Sequence, residues 1–229
     1  MDDFALVTEG VTDHAILKNI LFGYFKEQRT PIINRDHPDP NSELHHGGWT
    51  LVFRYLREKK YRQALQHNRF VVVQIDTDVA EEIGFDVPKQ NEDGPLPIGK
   101  LIENVINRLK QEIGEEDWSI YGESFIFAIG VEQLECCVLP LWFSDAKAAQ
   151  VANCTDRLGG NPQLRDSLTR KGLPWIRAEE KDSFSYAFAS QEYKKRRSLH
   201  ADGVKNPSLK IFLDDLEQRN IQLVTLVDE

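Results

Sequence analysis

Six carboxylates stand where apolar segments of the chain end. Residues 4–8 (FALVT) run into Glu9-Gly10, with Asp13 one helical turn further on. Residues 70–75 (FVVVQI) run into Asp76-Thr77-Asp78, and residues 125–131 (FIFAIGV) run into Glu132, with Glu135 close behind. A lone strand-terminal Asp is usually a helix cap or an Asx turn, and Asp13 has the placement of a cap before that of a ligand. Glu132 and Glu135 taken singly read equally well as solvent-facing residues at a helix start. Convergence changes the reading. Carboxylates within ~5 Å of one another cannot all stay ionised without compensation, and cations are the natural compensation. Hard oxygen donors suit Mg²⁺ or Mn²⁺ rather than zinc. In an extended strand, side chains two apart such as those of Asp76 and Asp78 lie on one face. At a strand end the chain turns, and both can reach one ion.

The elements that must position these groups follow from the hydrophobic pattern. The three apolar runs read as buried strands, the second being β-branched like a central parallel strand. Thr12 or Asp13 can cap a helix whose apolar positions Ile16, Leu17, Ile20, Leu21 and Tyr24 fall at helical spacing. Residues 31–33 suggest a second short strand, and residues 36–48 a loop containing His45 and His46, read as exposed. Residues 49–67 are amphipathic, with Arg54, Arg57, Lys59, Lys60 and Arg62 on the polar side. Residues 79–98 read as a long exposed loop and residues 98–113 as a helix. Asn206-Pro207 opens a helix running to about Arg219, and residues 221–227 suggest a last strand. The order β-α-β-α-β-α-β indicates an α/β fold with a mostly parallel sheet flanked by helices. Sites in such sheets lie at the carboxyl ends of the strands. The expectation is a single domain, with a core over residues 1–140 and a helical extension with a C-terminal strand over residues 141–229.

The chain has 229 residues, 41% hydrophobic and 28% charged, which is ordinary globular composition. Its net charge of −9 disfavours a passive nucleic-acid coat protein, though not a nuclease whose acidic cluster awaits cations. Cys136, Cys137 and Cys154 form no C-x-x-C pair, so the expectation is buried free thiols in a reducing cytosol. The acidic start MDDFALVTEG is unlike a secretory signal, and the longest apolar run has only eight residues, Cys136 to Phe143, against the ~20 of a membrane span. A cytoplasmic protein with no membrane partner is expected.

The pairing of Thr8-Glu9-Gly10-Val11-Thr12-Asp13 with Gln74-Ile75-Asp76-Thr77-Asp78 resembles the Toprim family, the catalytic domain of topoisomerases, bacterial primases and certain nucleases. The E-G-x-T-D form is most similar to the overcoming-lysogenization-defect nuclease branch. Small stand-alone Toprim-like bacterial proteins, several near phage-defence genes, resemble it further. Their E-x-x-E-x-x-x-L segment appears here from Glu132 to Leu139, and their Pro-Ser helix start at Pro207-Ser208. The resemblance implies a Rossmannoid Toprim-like fold and two Mg²⁺ or Mn²⁺ ions held by Glu9, Asp13, Asp76, Asp78, Glu132 and Glu135. Glu9 would be a ligand or general base beside catalytic Asp76 and Asp78. It also implies a catalytic lysine, for which Lys181, Lys194 and Lys195 are candidates. Lys194 is favoured because it lies in the densest basic run, Tyr193 to Arg197.

Nucleic-acid contacts would come from Lys194, Lys195, Arg196, Arg197, Arg170 and Lys171, although any one such run reads more readily as a solvated helix face. Trp175 and Phe184 could stack bases, but core packing is the commoner use of such residues. The implied activity is metal-dependent cleavage of DNA or RNA, tRNA included, by a toxic effector of anti-phage defence. No G-x-x-x-x-G-K-[ST] occurs, so an ABC-type ATPase partner would be encoded separately. A homodimer is among the assemblies the resemblance allows. The alternative from another class is a non-catalytic Toprim-like regulatory or binding subunit of such a complex. A nucleotidyl transferase and a phosphoacceptor receiver domain fit less well.

Overall fold

The computed structural model describes residues 1–38 and 47–224. Strand β1 (Asp2–Val7) leads through α1 (Val11–Tyr24) to β2 (Ile33–His37). Helices α2 (Trp49–Arg57) and α3 (Tyr61–His67) return the chain to β3 (Asn68–Asp76). A small hairpin of β4 (Gln90–Asn91) and β5 (Gly94–Pro95) precedes α4 (Ile98–Ile113), α5 (Glu115–Tyr121) and β6 (Phe125–Gly130). The order β2-β1-β3-β6 makes one four-stranded sheet in which every pair is parallel. This is the α/β class with a parallel sheet that the alternating pattern implied, and it is consistent with the Rossmannoid fold that the resemblance implied.

Strand alternation gives the sheet two apolar faces. Phe4, Leu6, Val72, Ile126 and Ala128 face α1 and the C-terminal helices. Ala5, Val7, Val71, Val73, Ile75, Phe125 and Phe127 face α2, α3 and α4. Because both faces are covered, the strands are apolar on both sides, as in other parallel sheets. Helix α4 keeps the predicted bounds, with Gly114 at φ 85 just past its last residue.

After β6 come a buried 3-10 helix (Leu134–Leu141), α6 (Cys154–Gly160), α7 (Pro162–Arg170), α8 (Ser183–Ala189), α9 (Arg196–Asp202) and α10 (Pro207–Arg219). Asn206 caps α10 by accepting a hydrogen bond from the Leu209 N–H at 2.9 Å, with Pro207 in the first turn. Both bounds of that helix match the sequence reading.

Several expectations are corrected. The amphipathic stretch 49–67 is two helices, broken where Lys59 takes φ 56. Its basic side is largely spent on structure: Arg57 pairs with Glu112, while Lys59 and Arg62 pair with the buried Asp117. Residues 79–98 are not exposed throughout, since Ala80, Phe85 and Val87 are buried. The described part of the expected last strand, residues 221–224, is not a strand. Side chains hold it instead: Gln28 bonds Ile221 and Leu223, Arg69 the Gln222 carbonyl, and Arg29 the Val224 carbonyl. Residues 225–229, like His45 and His46, lie outside the described residues. Finally, Cys136 and Cys154 are joined in a disulfide, because the 3-10 helix and the start of α6 bring their Cα atoms to 4.9 Å. Only Cys137 is free, and it is buried. Among the described residues, no helix is long and apolar enough to cross a membrane.

Candidate metal centre

From β1 the chain leaves toward β2, and from β3 it leaves toward β6 on the other side, so β1 and β3 flank the topological switch point. Sites in open α/β sheets lie at the carboxyl ends of the strands at such a point. Glu9 follows β1 and Asp76 ends β3, which places both there.

Gln74 locks the two strand ends together. Its Oε1 accepts from the Glu9 backbone N–H at 3.0 Å, and its Nε2 donates to Asp76 Oδ1 at 2.8 Å. In turn, the Asp76 backbone N–H donates to Glu9 Oε1 at 2.7 Å. Leu134 adds a second donor to Asp76 Oδ1 at 2.9 Å, so neither of these bonds uses Oδ2. Gly130 at the end of β6 makes this approach possible. A Cβ there would stand 2.3 Å from Asp76 Oδ1 and 2.6 Å from the Leu134 nitrogen.

Asp13 is the third residue of α1, and Gly10, not Thr12 or Asp13, is the N-cap. A backbone hydrogen bond from Gly10 reaches the Asp13 carboxylate, the returning half of a capping box. Asp13 Oδ1 is buried with no hydrogen-bond donor, and Oε2 of the fully buried Glu135 has none either. Asp13, Asp76 and Glu135 each offer an oxygen within 4.8 Å of the others. The nearby cation is Lys181, whose Nζ lies 3.0 Å from Glu135 Oε1 as an ion pair.

Burial raises the pKa of Asp13 well above the usual carboxylate range, and the Glu135 charge raises it further. Asp76 is raised for the same reason, with Asp13 and Glu9 as the charges adding to burial. Glu9 is pushed up to about 7, chiefly by burial, against the opposing Asp76 N–H bond. Burial disfavours the Lys181 ammonium, but Glu135, Asp13 and Asp76 outweigh it and hold its pKa above the ordinary lysine value.

Asp78 and Glu132 form an outer rim. The Thr77 and Asp78 N–H groups donate to the Glu132 carbonyl, and the Glu132 N–H donates back to Thr77 Oγ1 at 2.8 Å. With φ 57, Glu132 turns its side chain to Lys89, 2.6 Å away. Asp78 Oδ1 accepts from the Val79 N–H at 2.9 Å. Of the two glutamates after β6, Glu135 joins the buried cluster and Glu132 does not.

The basic run lies elsewhere. Tyr193 packs on Gly23, Arg196 bonds the Tyr24 carbonyl, and Lys195 pairs with Glu192. Tyr24 lies about 16 Å from Asp13 along α1, at about 1.5 Å per residue. Lys194 and Arg197 are exposed beside these residues. Arg170 and Lys171 end α7, in the segment that leads on to Lys181. Sequence reasoning misses Gln74, although it is the one polar residue inside an apolar strand.

The residues present fit a hard divalent cation. Three buried carboxylates face one ammonium, and orphaned oxygens of Asp13 and Glu135 have no donor. Compared with models of known families, with curated proteins and with solved structures, the chain matches none.

Proposed function

We propose that this chain is a divalent-metal-dependent hydrolase of nucleic-acid phosphodiester bonds. The observation that carries the reading is the cluster of buried carboxylates Asp13, Asp76 and Glu135 at the switch point, in which Asp13 Oδ1 and Glu135 Oε2 have no donor. Natural proteins leave such atoms unpaired rarely, and a cation accounts for all of them at once. The Toprim resemblance of Glu9-Gly10 to Asp13 and of Asp76-Thr77-Asp78 points to the same chemistry.

Asp13, Asp76 and Glu135 would hold Mg²⁺ or Mn²⁺, with Glu9 and Asp78 at the edge for a second ion. Bound there, the metal would polarise the phosphoryl group and acidify water. Glu9 Oε1 is engaged by the Asp76 N–H, which leaves Oε2 to take a proton from the attacking water. Lys181 would meet the negative charge that develops on the phosphate. An effector role in anti-phage defence, and a separately encoded ATPase partner, rest on the resemblance alone.

One observation favours the second reading, a non-catalytic binding subunit: Lys181 already pairs with Glu135, as it would in a cluster neutralised without metal. The two are separated by incubating wild type and Asp76→Ala with plasmid, single-stranded DNA and total tRNA in Mg²⁺, Mn²⁺ or EDTA. Cleavage that needs metal and is lost in the variant supports the hydrolase. Metal binding without cleavage of any substrate favours the subunit.

A further inference from the structure

The segment between α6 and Lys181 departs from the charge of the rest of the chain. Residues 154–181 hold six cations against four acids, in a protein of net charge −9. Most lysines and arginines elsewhere pair with a carboxylate. Here Arg157, Arg165, Arg170, Lys171 and Arg177 have no carboxylate partner among the described residues.

Trp175 stands among them, 39% exposed yet held in place. Its Nε1 donates to Thr169 Oγ1 at 3.0 Å, and the Arg165 guanidinium lies 3.8 Å from its ring centroid. Arg177 lies 5.7 Å from the same ring. An indole that packed only to fill the core would be buried, and a merely tolerated one would not be pinned at its edge and over its ring. The groove of about 350 Å³ beside it contains Arg165, Arg177, Ala178, Asp156 and Glu179. Asp156 and Ala178 also line the adjoining groove of about 190 Å³, which reaches Asp78 and Glu132 on the rim of the metal centre. The two grooves share Asp156 and Ala178 and so mark a path from the indole to the carboxylates.

We infer that this path seats a single-stranded nucleic acid, with a base stacked on Trp175 and phosphates met by Arg177 and its unpaired neighbours. A flat, fixed aromatic suits an unpaired base, whose face a duplex hides. Unpaired arginines suit phosphates, while Asp156 and Glu179 limit the affinity for any polyanion that lacks a base to stack. The inference rests on the hydrolase reading and names its substrate class.

The test is fluorescence anisotropy of the full chain in EDTA, with labelled oligothymidylate, oligouridylate and a duplex. Cleavage of the same strands in Mn²⁺ is followed separately. Trp175→Ala is expected to weaken single-strand binding at least about 5-fold, the lower end for loss of one stacked base, while Trp175→Phe retains most of it. Arg177→Ala should flatten the dependence of affinity on salt by about 0.7 in the log–log slope, one phosphate on a single strand. Equal binding by wild type and a folded Trp175→Ala, or a preference for duplex, overturns the inference. Trp175-dependent binding without cleavage keeps it and sinks the hydrolase reading. Cleavage with Trp175-independent binding does the reverse.

Discussion

Lys181 Nζ lies 3.0 Å from Glu135 Oε1, although the two residues come from separate elements, the lead-in to α8 and the 3-10 helix after β6. The pair places a cation against a fully buried carboxylate at the carboxyl edge of the sheet. It stands apart from the dense basic run near Lys194, which packs at the far end of α1.

Lys181→Met should therefore lower cleavage by about 10²–10³-fold, the usual effect of removing one charge-stabilising donor. Lys181→Arg should recover part of it, and Lys194→Ala should leave the rate near wild type. Initial rates on one labelled substrate at saturating Mn²⁺ decide this. A large loss from Lys194→Ala with none from Lys181→Met would assign the lysine the other way.

The raised carboxyl pKa values give the metal-free protein a distinctive pH response. A carboxyl raised on folding binds protons in the folded state that the unfolded state has already released. Its stabilising contribution is present below the unfolded pKa and is lost as pH rises through the folded one. For Glu9 the window runs from 4.5 to about 7. In EDTA the Tm should fall between about pH 5 and pH 7.5, Glu9, Asp13 and Asp76 together outweighing the opposite slope of His14, whose pKa burial lowers to about 4. Mn²⁺ binding should release protons and tighten over the same range, because the ligands must be deprotonated. Thermal scans in EDTA at several pH values, with calorimetry in buffers of different ionisation enthalpy, measure both effects. A Tm that rises steadily with pH would contradict the assignment.

Gly130→Ala sets a Cβ against Asp76 Oδ1 and the Leu134 nitrogen, a fixed carboxylate and backbone. The expected cost is about 1–3 kcal/mol with weakened metal binding, as for other overpacked sites. Gly99→Ala is the control. It lies in α4 with nothing within 4 Å of its Cβ, and it should be neutral or stabilising by up to about 1 kcal/mol. Chemical denaturation of both variants compares them directly.

The disulfide between Cys136 and Cys154 ties the helix bearing Glu135 to α6. Alkylation of the denatured, unreduced protein should modify one thiol, Cys137, and alkylation after reduction all three. Intact mass reads the difference. Reduction should cost about 2–4 kcal/mol, the usual range for such a cross-link. Three modified thiols before reduction would mean that the bond is not formed.

The strands are legible in the sequence because a parallel sheet covered on both faces needs continuous apolar runs, and residues 70–75 and 125–131 supply them. The turn that divides Glu132 from Glu135 is not. It depends on one backbone in the left-handed region and on Lys89 reaching in from another loop. Lys181 is only one of three candidates in the sequence, since local charge density favours Lys194 in the run from Tyr193 to Arg197, while what sets Lys181 apart is its approach to acids distant in the chain. The Cys136–Cys154 pairing carries no spacing motif. The break at Lys59 is equally silent, because an amphipathic pattern continues across it.

The central claim is that Asp13, Asp76 and Glu135 hold a divalent cation. Titrating Mn²⁺ into the full chain by calorimetry, for wild type, Asp13→Asn and Glu135→Gln, tests it most directly. The account predicts saturable binding in wild type, at least tenfold weaker in each folded variant. Wild-type binding retained in both variants, or no binding to the wild type at all, would contradict it.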